Sequence, residues 1–138
     1  MTYILPPFLA WFIAQMAKLA QTSIKQRRLT LRSLADPGGM PSSHAALVMA
    51  LTTAIGRIEG VTSPLFAISL VFSFVVLYDA QGVRRAAGRQ AEALNRLIED
   101  VFHSRGVREE RLREVLGHTP MQVVVGAALG IAVGLIPF

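Results

Sequence analysis

Four stretches of the chain carry no Asp, Glu, Lys or Arg: residues 1–17, 37–56, 60–78 and 115–138, which are 17, 20, 19 and 24 residues long. A helix needs roughly 17–25 apolar residues to cross the hydrocarbon of a bilayer, so the pattern predicts four membrane-spanning helices. The first runs from Tyr3 to Ile24, with Pro6 and Pro7 in its first turn, where proline is tolerated. The second starts near Pro41, with Ser42 and Ser43 as capping hydroxyls, and ends near Gly56-Arg57. A short turn at Glu59-Gly60 leads to the third, Ser63 to Tyr78, and makes spans two and three an antiparallel pair. The fourth begins near Gly117 and runs to the C-terminus. Within it Gly126, Gly130 and Gly134 repeat every four residues, a ridge that lets another helix approach closely, either in the same chain or in a homodimer.

Between spans three and four, from Gly82 to Leu116, the pattern changes. Leu94, Leu97, Ile98 and Val101 recur at helical spacing, with Arg96, Glu99 and Asp100 on the opposite face. That is an amphipathic helix, lying on the membrane or on the spans. Gly106 ends it, and Arg108 to Glu114 reads as a second, short polar helix. The fold class that follows is all-α: an integral membrane bundle of four transmembrane helices with an amphipathic helical connector, in a single domain over residues 1–138. The first block lacks the basic start and small-residue cleavage site of a signal peptide.

Composition sharpens this picture. The chain is 52% hydrophobic and 17% charged, with a formal net charge of +5 and no cysteine. A water-soluble enzyme or nucleic-acid-binding domain does not fit, and the basic residues flank the apolar blocks, where anionic lipid headgroups are their natural partners. Lys25, Arg27, Arg28 and Arg32 lie in the connector after span one, and all eight basic residues between spans three and four are Arg. Only Arg57 lies near the turn on the opposite side. The positive-inside rule therefore places both long connectors in the cytoplasm and both termini outside the cell membrane.

Polar residues gather at the span ends that face those connectors. Span one brings Gln15 and Lys18, and span two opens with Gly38-Gly39-Met40-Pro41-Ser42-Ser43-His44. Span three closes with Tyr78-Asp79-Ala80-Gln81-Gly82-Val83-Arg84-Arg85, and span four opens with Gly117-His118-Thr119-Pro120. Two helix N-termini at one depth offer free N–H groups and the positive end of the helix dipole to a phosphate. Arg and Lys add charge-assisted hydrogen bonds. Two histidines can divide nucleophilic and acid work. Phosphoryl transfer asks for such a set. The arginines at 105, 108, 111 and 113 read as a solvated face, His103 sits on the amphipathic helix with no role assigned, and the glycine ridge lies inside a span, where it serves packing.

These motifs resemble the divergent branch of the type-2 phosphatidic acid phosphatase family, within the superfamily that includes vanadium haloperoxidases, and the resemblance covers nearly the whole chain. It implies hydrolysis of a phosphate ester through a phosphohistidine, without metal or other cofactor. Pro41-Ser42-Ser43-His44 is similar to the superfamily's Pro-Ser-Gly-His motif, with Ser43 in place of Gly. The resemblance makes His44 the general acid, Ser42 and Ser43 phosphate ligands, and His118 the nucleophile. Lys18 takes the place of the first-motif lysine, although the Arg-Pro that follows it in the superfamily is absent. The Ser-Arg expected upstream of His118 is also absent, and Arg84 and Arg85 are its substitutes by position. Gln122 stands where the superfamily has the Asp that orients the nucleophile, and a Gln can accept the imidazole N–H bond without adding charge. Asp79 is the candidate to supply the missing carboxylate.

The implied substrate is a lipid phosphate monoester of the phosphatidic acid or phosphatidylglycerophosphate type, an anionic phospholipid met in the membrane, with the site facing the cytoplasm. Two rivals are a catalytically lapsed member that binds lipid or scaffolds a partner, and a small four-span transporter. The transporter would need an acidic residue in mid-membrane, and Asp79 lies at a span edge.

Overall fold

The computed structural model describes residues 3–26, 39–82, 88, 90–97 and 119–137. Four helices carry the fold: α1 (Leu5–Gln26), α2 (Ser43–Glu59), α3 (Pro64–Gln81) and α4 (Pro120–Gly134). Residues 90–97 are helical as well, and no strand occurs among the described residues.

The starts of three helices follow from their caps. The Ser42 side chain accepts the Ala45 N–H, Ser63 accepts that of Phe66, and Thr119 accepts that of Gln122. Each supplies one of the acceptors that a helix N-terminus lacks. Pro64 and Pro120 occupy first-turn positions, where a missing N–H is harmless. Two boundaries differ from the sequence reading. Pro41 lies outside α2, because Ser42 is the cap and Ser43 is already the first helical residue. Likewise α4 begins at Pro120 rather than near Gly117, with Thr119 as its cap.

α2 is the hub. It packs against each of the other three helices, α1 also touches α4, and α3 meets α4 only lightly. Its buried positions, Ser43, Ala45, Ala46, Val48, Ala50, Thr52, Ala54 and Ile55, lie on several sides of the helix, as a central position requires. Small residues make that centrality possible. A Cβ on Gly126 would come within 2.3 Å of the Ser42 carbonyl oxygen, one on Gly130 within 2.3 Å of that of Ala46, and one on Gly134 within 2.7 Å of that of Ala50. The glycine ridge of α4 therefore lies on α2, which runs parallel to it, with the backbones at close approach. Of the two partners that the sequence leaves open for this ridge, the structure shows the helix of the same chain, so a homodimer through Gly126, Gly130 and Gly134 would have to displace α2.

On its other sides α2 takes α1 through the buried cluster Ala10, Ala14, Ala46, Ala50 and Val133. It takes α3 through hydroxyls: Thr52 Oγ1 lies 3.1 Å from the Ser69 carbonyl oxygen and 2.8 Å from Ser73 Oγ, which is itself 3.1 Å from the Val48 carbonyl oxygen. At the far end of the bundle the Tyr3 hydroxyl donates to the Glu59 carboxylate, tying the start of α1 to the end of α2.

Among the described helices, α3 alone is both long and apolar enough to cross a membrane by itself; α4 is apolar but has 15 residues. The four-helix, all-α architecture is thus present, while the helix lengths alone do not establish four crossings. The expected amphipathic connector and second polar helix lie mostly outside the described residues. Within 90–97 its apolar positions Leu94 and Leu97 are exposed, whereas the polar Asn95 is buried.

Candidate active site

The candidate site is built where α2 and α4 begin. The Ser42 backbone N–H donates to the Gln122 carbonyl oxygen at 2.9 Å, so the cap of one helix is hydrogen-bonded to the first turn of the other. Two parallel helices joined in this way present their N-terminal, positively polarised ends at one level. This close approach needs Gly126, whose missing Cβ leaves room for the Ser42 backbone.

Lys18 reaches the same point from α1. Pro6, Ala10, Ala14 and Lys18 are all buried and recur every four residues, so the lysine continues the stripe that faces the bundle. Only 5% of it is exposed, and its ammonium donates to Ser43 Oγ at 3.1 Å. Gly39, in a left-handed conformation with φ of 94°, lies over the lysine stem; a Cβ there would sit 3.6 Å from Lys18 Cγ. Among the described residues no carboxylate pairs with Lys18. A buried ammonium is costly unless paired, and the partner shown is a neutral hydroxyl.

α3 arrives from the opposite side of α2. Ala45, Ala80 and Val123 form a buried cluster, with Leu77 packed against it. Each of the three follows a candidate residue in sequence: Ala45 follows His44, Ala80 follows Asp79, and Val123 follows Gln122. The cluster therefore brings the backbones of three candidates to one end of the bundle. His44 is exposed in the first turn of α2, while Ser42 and Ser43 are buried and Asp79 is half-buried. Beside Asp79 a groove of about 420 Å³ opens along α3, lined also by Phe74, Val75 and Tyr78.

Gln122 has a structural partner that the motif reading did not name. Its side-chain carbonyl accepts the Thr119 N–H at 3.0 Å while its own N–H points at Thr119 Oγ1, 3.4 Å away. This reciprocal capping box fixes the start of α4, and the Thr-x-x-Gln spacing that encodes it is legible in the sequence. His118, Arg84 and Arg85 lie outside the described residues. Those brought to one end of the bundle are Lys18, Ser42, Ser43, His44, Asp79 and Gln122.

The comparison with known families bears directly on this arrangement. Residues 2–133 match the Divergent PAP2 family. The chain belongs to that family. It is similar to the "Uncharacterized membrane protein YuiD" of Bacillus subtilis (strain 168), with 36% identity over 138 residues that span 92% of this chain and 87% of the relative. No solved structure matches. The family resemblance is thereby shown, and in this member of the Divergent PAP2 family Pro41 to His44 form the capped start of α2.

Proposed function

We propose that the chain is a four-span membrane phosphatase that hydrolyses a lipid phosphate monoester, of the phosphatidic acid or phosphatidylglycerophosphate type, without a metal. One observation carries this reading. A buried ammonium, Lys18, bonded only to a hydroxyl among the described residues, stands where two hydrogen-bonded helix N-termini meet. A phosphate dianion is the ligand that completes such a place, since it meets the lysine charge, the Ser42 and Ser43 hydroxyls and the positive helix ends together. The apolar groove next to Asp79 gives the body of a lipid room at the same level and favours a lipid over a soluble phosphate.

The roles then follow. His118, which precedes the α4 cap, attacks phosphorus and forms an N–P bond as the ester P–O bond breaks. His44 gives its proton to the departing alkoxide. Water next attacks the phosphohistidine, releasing inorganic phosphate and restoring His118. Arg84 and Arg85 join Lys18 in holding the phosphate oxygens. Asp79 supports the charged imidazole, the task the wider superfamily gives to an Asp at the position of Gln122, here committed to its own helix cap.

That commitment also favours the second reading, a lapsed member that binds anionic lipid without turning it over. Phosphate release by purified protein from a panel of lipid phosphates, in EDTA and with vanadate as inhibitor, decides between the two. Release that EDTA leaves intact supports the phosphatase, and binding without release supports the lapsed member. His44→Ala should slow release by about 10²–10⁴-fold with little change in binding, and less so for an aryl phosphate whose leaving group scarcely needs the proton.

The site faces the cytoplasm in this proposal, with both termini outside. Single cysteines at Ser33 and Ser104, in a chain with no other cysteine, should resist an impermeant thiol reagent on intact cells and react after lysis. Labelling of either before lysis would reverse the orientation.

A further inference from the structure

α3 is the helix least held by burial. Its outer positions are apolar and open, including Phe72, Phe74, Val75 and Tyr78, with Tyr78 70% exposed, and only Ser69, Ser73 and Ala80 are buried. Where the surroundings are lipid, apolar contacts barely distinguish one rotation of such a helix about its axis from another, because lipid tails are as apolar as the side chains they touch. Polar contacts do distinguish them. α3 has one set at its middle: Ser73 Oγ, 3.1 Å from the Val48 carbonyl oxygen and 2.8 Å from Thr52 Oγ1, with Thr52 Oγ1 also 3.1 Å from the Ser69 carbonyl oxygen. Two hydroxyl protons serve these three contacts, so the pair can bond in more than one order while the oxygen positions stay the same.

The rotation set here reaches the candidate site. At about 100° per residue, Ala80 lies two turns beyond Ser73 on nearly the same line, and it is buried against Ala45 and Val123. Asp79 sits one residue earlier, about 100° round the helix, and is half-buried at the margin between bundle and lipid. A modest turn of α3 in one direction would carry it out of the site.

We propose that Thr52 and Ser73 are positioning residues that fix the rotation of α3 and so hold Asp79 at the phosphate site; this rests on the role given to Asp79 above. The absence of cysteine allows a test that does not depend on activity. Single cysteines at Phe72, Phe74, Val75, Val76 and Tyr78, labelled in bilayers by a lipid-soluble maleimide, report which side of α3 faces lipid. In a Thr52→Val/Ser73→Ala background the labelling maximum should move to neighbouring positions. The exchanged pair Thr52→Ser/Ser73→Thr should restore it, with helix content unchanged by circular dichroism. Ser73→Ala alone, the milder change, should shift it in the same direction. An unmoved pattern in folded protein would overturn the proposal.

A second readout concerns turnover. Thr52→Val/Ser73→Ala should lower kcat several-fold with KM nearly unchanged, and should cause no further loss once Asp79→Asn is present. Independent, multiplying losses would overturn the proposal as surely as an unmoved pattern. A wild-type protein that released no phosphate would defeat the phosphatase reading, and the labelling pattern would still decide the rotation of α3.

Discussion

α2 meets α4 and α3 by opposite means. Against α4 it offers backbone: three glycines lie over the carbonyls of Ser42, Ala46 and Ala50 at distances that no side chain would allow. Against α3 it offers a hydroxyl, Thr52, bonded to a helix whose other exposed positions are almost all apolar. Hydrophobic burial does little to drive helices together in lipid, so close van der Waals approach and interhelical hydrogen bonds remain. This chain uses one for each neighbour. The close-packed pair carries the joined N-termini and has little freedom to shift, whereas the hydroxyl-pinned helix carries Asp79 and, among the described residues, packs less extensively on its neighbours.

The largest effect should come from breaking the close approach. Gly126→Ala sets a methyl 2.3 Å from the Ser42 carbonyl oxygen, and backbone atoms cannot swing aside as a side chain could. Overpacking of this kind typically costs about 1–3 kcal/mol; unfolding in detergent should show it, together with loss of phosphate binding, because the Ser42–Gln122 hydrogen bond would be pushed apart. A smaller effect belongs to the cap of α4. Thr119→Ala removes one half of the capping box and should destabilise by about 1 kcal/mol, read in the same unfolding measurement. Ser73→Ala, at the other interface, should cost only about 0.6 kcal/mol and at most about 1.7. If Ser73→Ala proved more damaging to stability than Gly126→Ala, the contrast between the two interfaces would be wrong. The smallest effect is expected of Tyr3→Phe, which loses the bond to Glu59 at the end of the bundle away from the site and should leave phosphate binding unchanged.

What the sequence revealed follows the same division. The Gly126, Gly130 and Gly134 repeat announces a close helix contact because small residues at fixed spacing have few other uses inside an apolar span. The gathering of Lys18, Ser42, Ser43, His44, Asp79 and Gln122 at one end was legible because successive uncharged blocks must alternate in direction. The burial of Lys18 was harder to see, since it depends on the phase shared with Pro6, Ala10 and Ala14 rather than on the lysine itself. The Thr52–Ser73 pair lay beyond reach: isolated hydroxyls in two apolar helices become partners only once the register between those helices is known. The number of membrane crossings shows the converse. The second, third and fourth uncharged blocks are longer than the helices they overlap, and among the described helices only α3 is by itself long and apolar enough to cross.

We propose that His118, one residue before the α4 cap in sequence, carries the phosphoryl group during turnover. Rapid quenching of the purified protein with phosphorus-labelled phosphatidic acid in EDTA tests it most directly. An acid-labile, base-stable phosphoprotein is expected, with its label on the peptide containing His118 and absent in His118→Ala. Steady phosphate release with no such intermediate, or undiminished labelling in His118→Ala, would contradict it.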